Sequence, residues 1–477
     1  MMTRYPPISH HLQVALIAPP FEGAARGTPL GLAQLAGMLE INGFDVHTHD
    51  MTVCGAESAL LSFLQRVQPN VVGITAVCAT YLQAVYVAEL CRVVLGPKVK
   101  IIAGGPHVSF GYDVVLDRHN CWDACVLGEA DHSFVDLCNA FAQSDPSVWK
   151  SVSGIAFRDG TRVRRSPSRL MVSILDALPL PARKHFPESV YGNAIEDFEI
   201  GKSQTEAGVF DVSAIHKADV MASRGCPYSC GFCSTKEFWL RKYRQRSPEH
   251  VFAELKQLHS SGHTHIYFQD DIFTENRAWV MRLSELLIDN NIGLKWACGT
   301  RVDRVDRQLL TLMKSAGCVY IYCGVESGAM SIRSIQSKGI TSSQVSETYN
   351  LLHETDIYAS AAIIFGLPGE TLKTARETIK WIRNIVRPDE VWISKASCYP
   401  GTELARFYGV EAVDYELKLN GKCEKGLPFG TGGIYTPFFN DIELVREVWD
   451  CVNQELGHLS IGFGDDYGHP TAFLNHV

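Results

Sequence analysis

From Val14 to Phe141, short apolar runs without polar alternation take turns with stretches whose apolar residues recur at helical spacing. VALIAPP reads as a strand, PLGLAQLAGMLEINGF as an amphipathic helix stopping at Gly43, and DVHTHDM as a second strand. A helix around ALLSFLQRV, the strand NVVGITAV, the helix YLQAVYVAELCRVVL, the strand KVKIIAGGPH and the segment WDACVLGEADHSFVDLCNAF complete the series. Strands apolar on both faces, each followed by a helix, predict a parallel sheet covered on both sides. The expectation is a doubly wound α/β domain, Rossmann-like or flavodoxin-like, over 12–145, binding its ligand beyond the carboxyl ends of its strands. Loops there are rich in small residues, which let backbone amides approach a bulky ligand. Thr75, Gly104, Gly105, Gly128 and Glu129 are the candidate contacts. On these loops alone a generic flavodoxin-like domain with Gly-rich turns is the better reading, and the missing G-x-G-x-x-G argues against a dinucleotide.

The same alternation returns later, from VFAELKQLHSSG and HIYFQDD through LKWACGTRVD, YIYCGVESG and ASAAIIFGLPGET to EVWISKASCYPGTEL. With a short strand before it at Val220, this predicts about six β/α units, a partial barrel with its site at the strands' carboxyl ends. The barrel is expected over 218–409 and a small C-terminal cap over 410–477. The linker between, 146–217, holds a hairpin turning at Asp159-Gly160, the proline-punctuated LDALPLPARKHFP and an exposed insertion, NAIEDFEIGKSQTEAGVFD. Polar residues stand where a barrel mouth would be: Asp270, Asp271, Arg301, Glu326, Ser327 and Glu370.

Composition narrows the function classes. A chain of 477 residues is too long for one core, so two or three domains are expected. The net charge is −8 and no block of Lys or Arg stands out, which makes a nucleic-acid partner unlikely as the main function. The N-terminus fits a first strand better than a signal sequence, and no apolar segment is expected to span a bilayer. Fifteen cysteines in such a chain are read as reduced thiols of a cytoplasmic protein, some of them metal ligands.

Three of them, Cys226, Cys230 and Cys233, fall in MASRGCPYSCGFCSTKEFW on a loop after a strand. Zinc at a structural site takes four protein ligands, and no second Cys or His pair accompanies this trio. Chance burial of three thiols does not explain why glycine and proline gather them on one irregular loop. A four-iron, four-sulfide cube held by three thiolates leaves one iron open, and S-adenosylmethionine can chelate that iron through its amino and carboxylate groups. Cys298, Cys318, Cys323 and Cys398 sit in or beside apolar strands and are read as small buried hydrophobes.

C-x₃-C-x₂-C, with Phe232 before the last Cys, is the signature of the radical S-adenosylmethionine superfamily, and Ala218 to Tyr408 resembles its catalytic domain. FQDDIFTEN, GVESG, SKGI, FGLPGET and YPGTEL resemble the cobalamin-dependent group that includes the anaerobic magnesium-protoporphyrin ester cyclase and several methyltransferases. GTPLGLAQLAGMLEINGFDV, PNVVGITA, IIAGGPHVS and VLGEADHSF resemble the cobalamin-binding domain that precedes it there. The resemblance implies three cofactors: a [4Fe–4S] cluster on the three cysteines, S-adenosylmethionine, and cobalamin. It places Gln269 and Asp270 at the S-adenosylmethionine amino group, Arg301, Glu326 and Ser327 at its carboxylate or ribose, and Ile364, Gly366 and Glu370 along the adenine. Asp271 and Tyr399 are candidates for catalytic contact with substrate. Plainer roles stand beside these: Asp271 as a helix cap, Arg301 paired with Asp303 or Asp306. The D-x-H-x-x-G pattern that supplies a histidine to cobalt elsewhere is not met, so His47, His49, His107 and His132 are expected to be loop or surface residues.

The resemblance implies an enzyme that makes a 5′-deoxyadenosyl radical, removes hydrogen from an unactivated carbon of a small molecule such as a natural-product intermediate, and methylates it. An electron donor such as flavodoxin or ferredoxin would serve it. Rival readings are a cobalamin-independent dehydratase, epimerase, oxidoreductase or cyclase with a vestigial first domain, a tRNA methylthiotransferase, and a cobalamin-sensing module.

Overall fold

The computed structural model of the chain describes residues 12–21, 27–143, 147–168, 170–186, 216–417, 422–430, 433–457 and 459–463. The insertion expected around 193–211 lies outside them. Described residues up to 186, together with Glu411–Glu416, make one compact unit, and the others from 216 onward make a second.

In the first unit β1 (Gln13–Ala18), β2 (Asp45–Asp50), β3 (Val71–Thr75), β4 (Lys100–Gly104) and β5 (Ala124–Val126) run parallel in the order β2-β1-β3-β4-β5. Val14 to Ile17 are wholly buried, as a strand covered on both faces requires. The order reverses between β1 and β3, the flavodoxin-like arrangement that opens a crevice at the carboxyl end.

The hairpin read as part of a linker is instead a piece of this sheet. β6 (Ile155–Asp159) pairs antiparallel with β5 and continues into β7 (Arg162–Arg165) through the expected turn, with Gly160 at φ +63°. β5 is only three residues long, and the hairpin covers an edge that would otherwise stand open. A second correction concerns Cys78–Leu95, which is long and apolar enough to cross a membrane by length and composition. Here its Tyr81, Ala84, Val85, Val87, Ala88 and Cys91 pack into the core of the first unit, and Arg92 reaches Asp123 at 2.7 Å.

In the second unit β8 (Lys217–Val220) leads into a two-residue ladder of β9 (Ser223–Arg224) with β10 (Arg244–Gln245). β11 (His265–Phe268), β12 (Lys295–Thr300), β13 (Cys318–Glu326), β14 (Tyr358–Phe365) and β15 (Glu390–Lys395) follow in parallel order from β8, the six strands expected. After a small ladder of β16 (Phe429–Gly430) and β17 (Gly433–Ile434), a seventh parallel strand, β18 (Ser460–Phe463), pairs with β15. The tail is therefore no separate cap. Its helix Ile442–Leu456 buries Val445, Val448, Trp449, Val452 and Leu456 in the barrel's own core, and Glu411–Glu416 joins the first unit.

Period-two alternation divides the barrel strands between two environments. Phe268, Cys298, Ile321, Cys323, Ile363, Val391 and Ile393 face the helices in a dry core. Tyr267, Tyr322, Ile364, Trp392 and Ser394 on the opposite face are only half-buried. Cys298, Cys318, Cys323 and Cys398 are fully buried, and all fifteen cysteines are free.

Candidate active site

The loop after β8 is built by side chains from four later parts of the barrel. At its entry Asp270 accepts the Ala222 amide at 3.1 Å and the Ser223 hydroxyl, while the Gln269 amide donates to the Val220 carbonyl at 2.8 Å. Gly225 then takes φ +90°, and a Cβ there would overlap the Lys242 carbonyl, so only glycine fits before Cys226. Asp271 spans the loop, accepting the Gly225 amide at 3.1 Å and the Thr235 hydroxyl at 3.0 Å.

The middle of the loop is held from the far strands. The Gly231 amide donates to the Gln336 carbonyl at 3.2 Å, and its carbonyl accepts the Leu404 amide at 3.1 Å. Lys236, 1 % exposed, donates to Glu403 at 2.5 Å and to the Ser229 carbonyl at 3.3 Å. Between Cys226 and Cys230, the Tyr228 ring lies under the Arg301 guanidinium at 3.8 Å, and its hydroxyl donates to Glu275 at 3.1 Å.

This frame leaves Cys226, Cys230 and Cys233 half-buried and close enough to oppose one another's ionisation. Burial pushes the Cys226 thiol up to about 11, and the charges of Cys233, Asp271 and Cys230 add to the rise. Burial raises Cys230 too, against the pull of Lys338 and Arg301. Three free thiols on one loop suit an iron cluster, which would take each as a thiolate. Among the described residues no three Cys, His, Asp or Glu side chains converge on one ion. A cube asks each thiolate for a different iron and does not require that they do.

Beyond the loop, Glu326 ends β13 in the left-handed region at φ +63° and forms a buried ion pair with Lys338. Gly324 has no room for a Cβ beside that pair. Arg301 donates to the Lys338 carbonyl at 2.8 Å and to Asp303 at 2.9 Å, the structural pairing foreseen as its alternative. Glu370 offers the site an open acceptor: Oε1 accepts the Thr374 hydroxyl at 2.6 Å, while the buried Oε2 has no hydrogen-bond partner. Burial pushes this carboxyl up to about 7. An unsatisfied buried oxygen fits an N–H or O–H of a bound nucleoside. Gln269 is exposed beside Asp219, its amide nitrogen 3.3 Å from that carboxylate. Ile364, Phe232 and Tyr399 are half-buried. Gly366, at φ +83°, lets the turn press on Phe439.

Several expected contacts are displaced. Asp270, 8 % exposed, has both oxygens committed to the entry of the loop and ties strands together rather than facing a ligand's amino group. Asp271 is likewise occupied by the loop, which makes it a positioning residue; the next helix is capped by Asn276 instead. Ser327 is buried against the Thr378 hydroxyl at 3.0 Å and accepts the Ala329 amide, so its oxygen belongs to the core. Conversely Lys236, Gln336, Lys338 and Glu403 were not singled out. Lys338 and Glu403 stand in the SKGI and YPGTEL phrases, but nothing local marks a residue whose partner lies on another strand.

Asp270 also makes pH a probe of the loop. Burial, the largest influence, pushes its carboxyl from 3.8 up to about 7 against the donors it accepts. An acid raised in the folded state binds its proton more tightly there, so its contribution to stability is complete below the unfolded value and is lost as pH rises through about 7. Asp270→Asn should therefore flatten stability against pH between about 4 and 7, read as the difference from the unaltered protein in denaturant melts.

At the carboxyl edge of the first sheet, the Ala76 amide donates to the Gly104 carbonyl at 2.8 Å, and Gly105 at φ +103° presses on the Ala76 carbonyl. Thr75 pairs with Gly104 in the sheet. A Cβ on Gly104 or on Gly128 would meet nothing within 4 Å, so both glycines border open space, and Val77 is exposed. Such a rim fits a broad, largely apolar ring like a corrin. Glu129 differs from expectation, since it accepts the Val172 amide at 2.8 Å and so holds backbone.

The histidines are also corrected. His49 is buried in β2 and stacked on Phe63. His107 is buried between Tyr81 and Tyr415, with Nδ1 3.3 Å from the Cys78 sulfur. Burial pushes His107 down to about 4. Both rings lie inside the first unit, where loop or surface positions were expected.

Comparison with known proteins bears on both units. Residues 220–382 match the Radical SAM superfamily and residues 22–138 match the B12 binding domain. An uncharacterized methyltransferase of Pyrococcus horikoshii is 29% identical over 404 residues, covering 82% of each chain. The anaerobic magnesium-protoporphyrin IX monomethyl ester cyclase of Cereibacter sphaeroides is 29% identical over 370 residues, covering 75% of this chain and 57% of the cyclase. Among solved structures, the radical S-adenosylmethionine methyltransferase TsrM of Kitasatospora setae, with cobalamin and a [4Fe-4S] cluster bound, aligns with a TM-score of 0.73. That alignment covers 95% of this chain and 91% of TsrM at 15% identity, and it shows a common fold.

Proposed function

The chain belongs to the radical S-adenosylmethionine enzymes that carry a B12-binding domain, and from that premise we propose that it is a C-methyltransferase acting on an unactivated carbon of a small molecule. The observation that carries this reading is the three-thiol loop at the barrel's carboxyl edge, in a chain whose residues 22–138 match the B12 binding domain. When bound, the cluster with S-adenosylmethionine supplies a carbon-centred oxidant, and cobalamin supplies a methyl carrier.

The chain's own residues do the positioning. Asp271, Gln336 and Lys236 hold the cysteine loop from three sides. Arg301 and Lys338 place positive charge beside Cys230. Gln269 and the free oxygen of Glu370 are the acceptors offered to the amino group and nucleoside of S-adenosylmethionine, and Ile364 gives the adenine an apolar surface. Phe232 and Tyr399 are both half-buried, and in this reading Phe232 stands on the cofactor side of the loop and Tyr399 contacts substrate. With every thiol free, the protein is suited to a reducing, cytoplasmic setting.

The test is anaerobic purification from cells supplied with hydroxocobalamin, followed by iron, sulfide and cobalt analysis and incubation with methyl-labelled S-adenosylmethionine. Cluster, stoichiometric cobalt and 5′-deoxyadenosine are expected together. A loaded cluster with no cobalt would overturn methyl transfer in favour of a cobalamin-independent radical reaction.

A further inference from the structure

The cluster that the three cysteines would hold must receive an electron from outside the chain, and the outer side of the cysteine loop carries a surface suited to its delivery. In a chain whose net charge is −8, the segment Lys236 to Arg246 has five basic residues, of which Lys236 and Arg246 are buried against Glu403 and Glu254, while Arg241 and Lys242 are exposed. Within it Leu240 and Arg241 both adopt left-handed backbone, at φ +51° and +58°, without being glycine. Such conformations are uncommon for these residues and cluster at functional sites. The turn holds Leu240 64 % exposed, with Arg241 and Lys242 exposed beside it.

The helix Glu403–Tyr408 adds to the same region. It is tied to the turn by Lys236–Glu403 at 2.5 Å and Arg406–Glu237 at 3.5 Å, and it presents Phe407, 70 % exposed, next to the exposed Arg406. The two elements together expose Leu240 and Phe407 with Arg241, Lys242 and Arg406, against the partly exposed carboxylates of Glu237 and Glu403. This surface lies directly behind the thiols, since the Lys242 carbonyl abuts Gly225, the neighbour of Cys226, and Lys236 reaches the Ser229 carbonyl, next to Cys230.

We propose that Leu240, Arg241, Lys242, Arg406 and Phe407 form the docking surface for a small acidic one-electron carrier protein of the flavodoxin type. The assignment rests on the enzymatic reading above. Charge complementarity selects an acidic partner, and adjacency to the thiols selects an electron carrier over a substrate protein. In the transfer the carrier's flavin hydroquinone loses one electron and no proton, and the cluster gains that electron. No bond forms or breaks between the two proteins.

The experiment compares reduction of the reconstituted cluster by bacterial flavodoxin hydroquinone with reduction by dithionite, followed by absorbance, and measures flavodoxin affinity by calorimetry. Two variants are used. Lys242→Glu reverses an exposed charge, and Leu240→Asn removes the apolar side chain while suiting left-handed backbone. Lys242→Glu is expected to weaken flavodoxin binding and slow its electron transfer about tenfold, with a shallower salt dependence. Leu240→Asn is expected to weaken binding with the salt dependence kept. Both should keep full iron content and unchanged reduction by dithionite.

Flavodoxin reducing both variants as fast as the unaltered protein would overturn the surface. So would a salt-independent rate, or protection of the patch by a second copy of the chain or by nucleic acid instead of flavodoxin. Failure of dithionite to reduce any cluster in the unaltered protein would overturn the enzymatic reading, and the surface with it.

Discussion

Replacing Cys226, Cys230 and Cys233 together with alanine is expected to abolish bound iron and sulfide and to drop 5′-deoxyadenosine formation to background. The expectation follows from what the loop is for. Asp270, Asp271, Lys236 and the Gln336 carbonyl brace its backbone without touching the thiols themselves, so the frame should survive loss of the three sulfurs. The variant should therefore remain folded, with circular dichroism and melting close to the parent, while its metal analysis reads zero. Cleavage of S-adenosylmethionine by the folded triple variant would contradict the cluster assignment, because the soft ligands would be gone.

The second large effect is expected in the buried pair of Glu326 and Lys338. Both side chains are almost fully buried, and Glu326 sits at positive φ beside Gly324, with no space to swing away. Lys338→Met would leave the Glu326 carboxylate uncompensated in low dielectric, which costs about 3–5 kcal/mol. Replacing both partners, Glu326→Gln with Lys338→Met, should recover most of that loss, since two neutral groups of similar size need no counter-charge. Denaturant melts of the two singles and the double decide the matter. A Lys338→Met protein as stable as the parent would show that the pair holds nothing.

Much of this was legible along the chain, for reasons that differ between elements. The helix Tyr81–Leu95 was bounded correctly because its periodicity is uninterrupted and a glycine follows it. β1 and β3 were legible because strands buried on both faces need continuous apolar runs. The tail was misjudged for the converse reason. β18 is four residues long and carries a glycine at its third position, with nothing local to say that β15 has a free edge waiting for it. Glu411–Glu416 was equally opaque. Its place in the first unit depends on Glu416 meeting the Tyr81 hydroxyl and His119, residues roughly three hundred positions away.

By itself the sequence determined the spacing of the three thiols and the alternation of strands and helices in the two sheets' parallel parts. Thiolate softness and the C-x₃-C-x₂-C spacing are local properties, and so are the periods that distinguish strand from helix. Tertiary structure alone decided which polar residues remain available. Asp270, Asp271 and Ser327 look like mouth residues from their positions after strands, yet each is spent on backbone or core partners. Glu370, by contrast, keeps a buried oxygen free. A carboxylate's role is set by the donors that reach it, and in a barrel those donors arrive from strands far away in the chain.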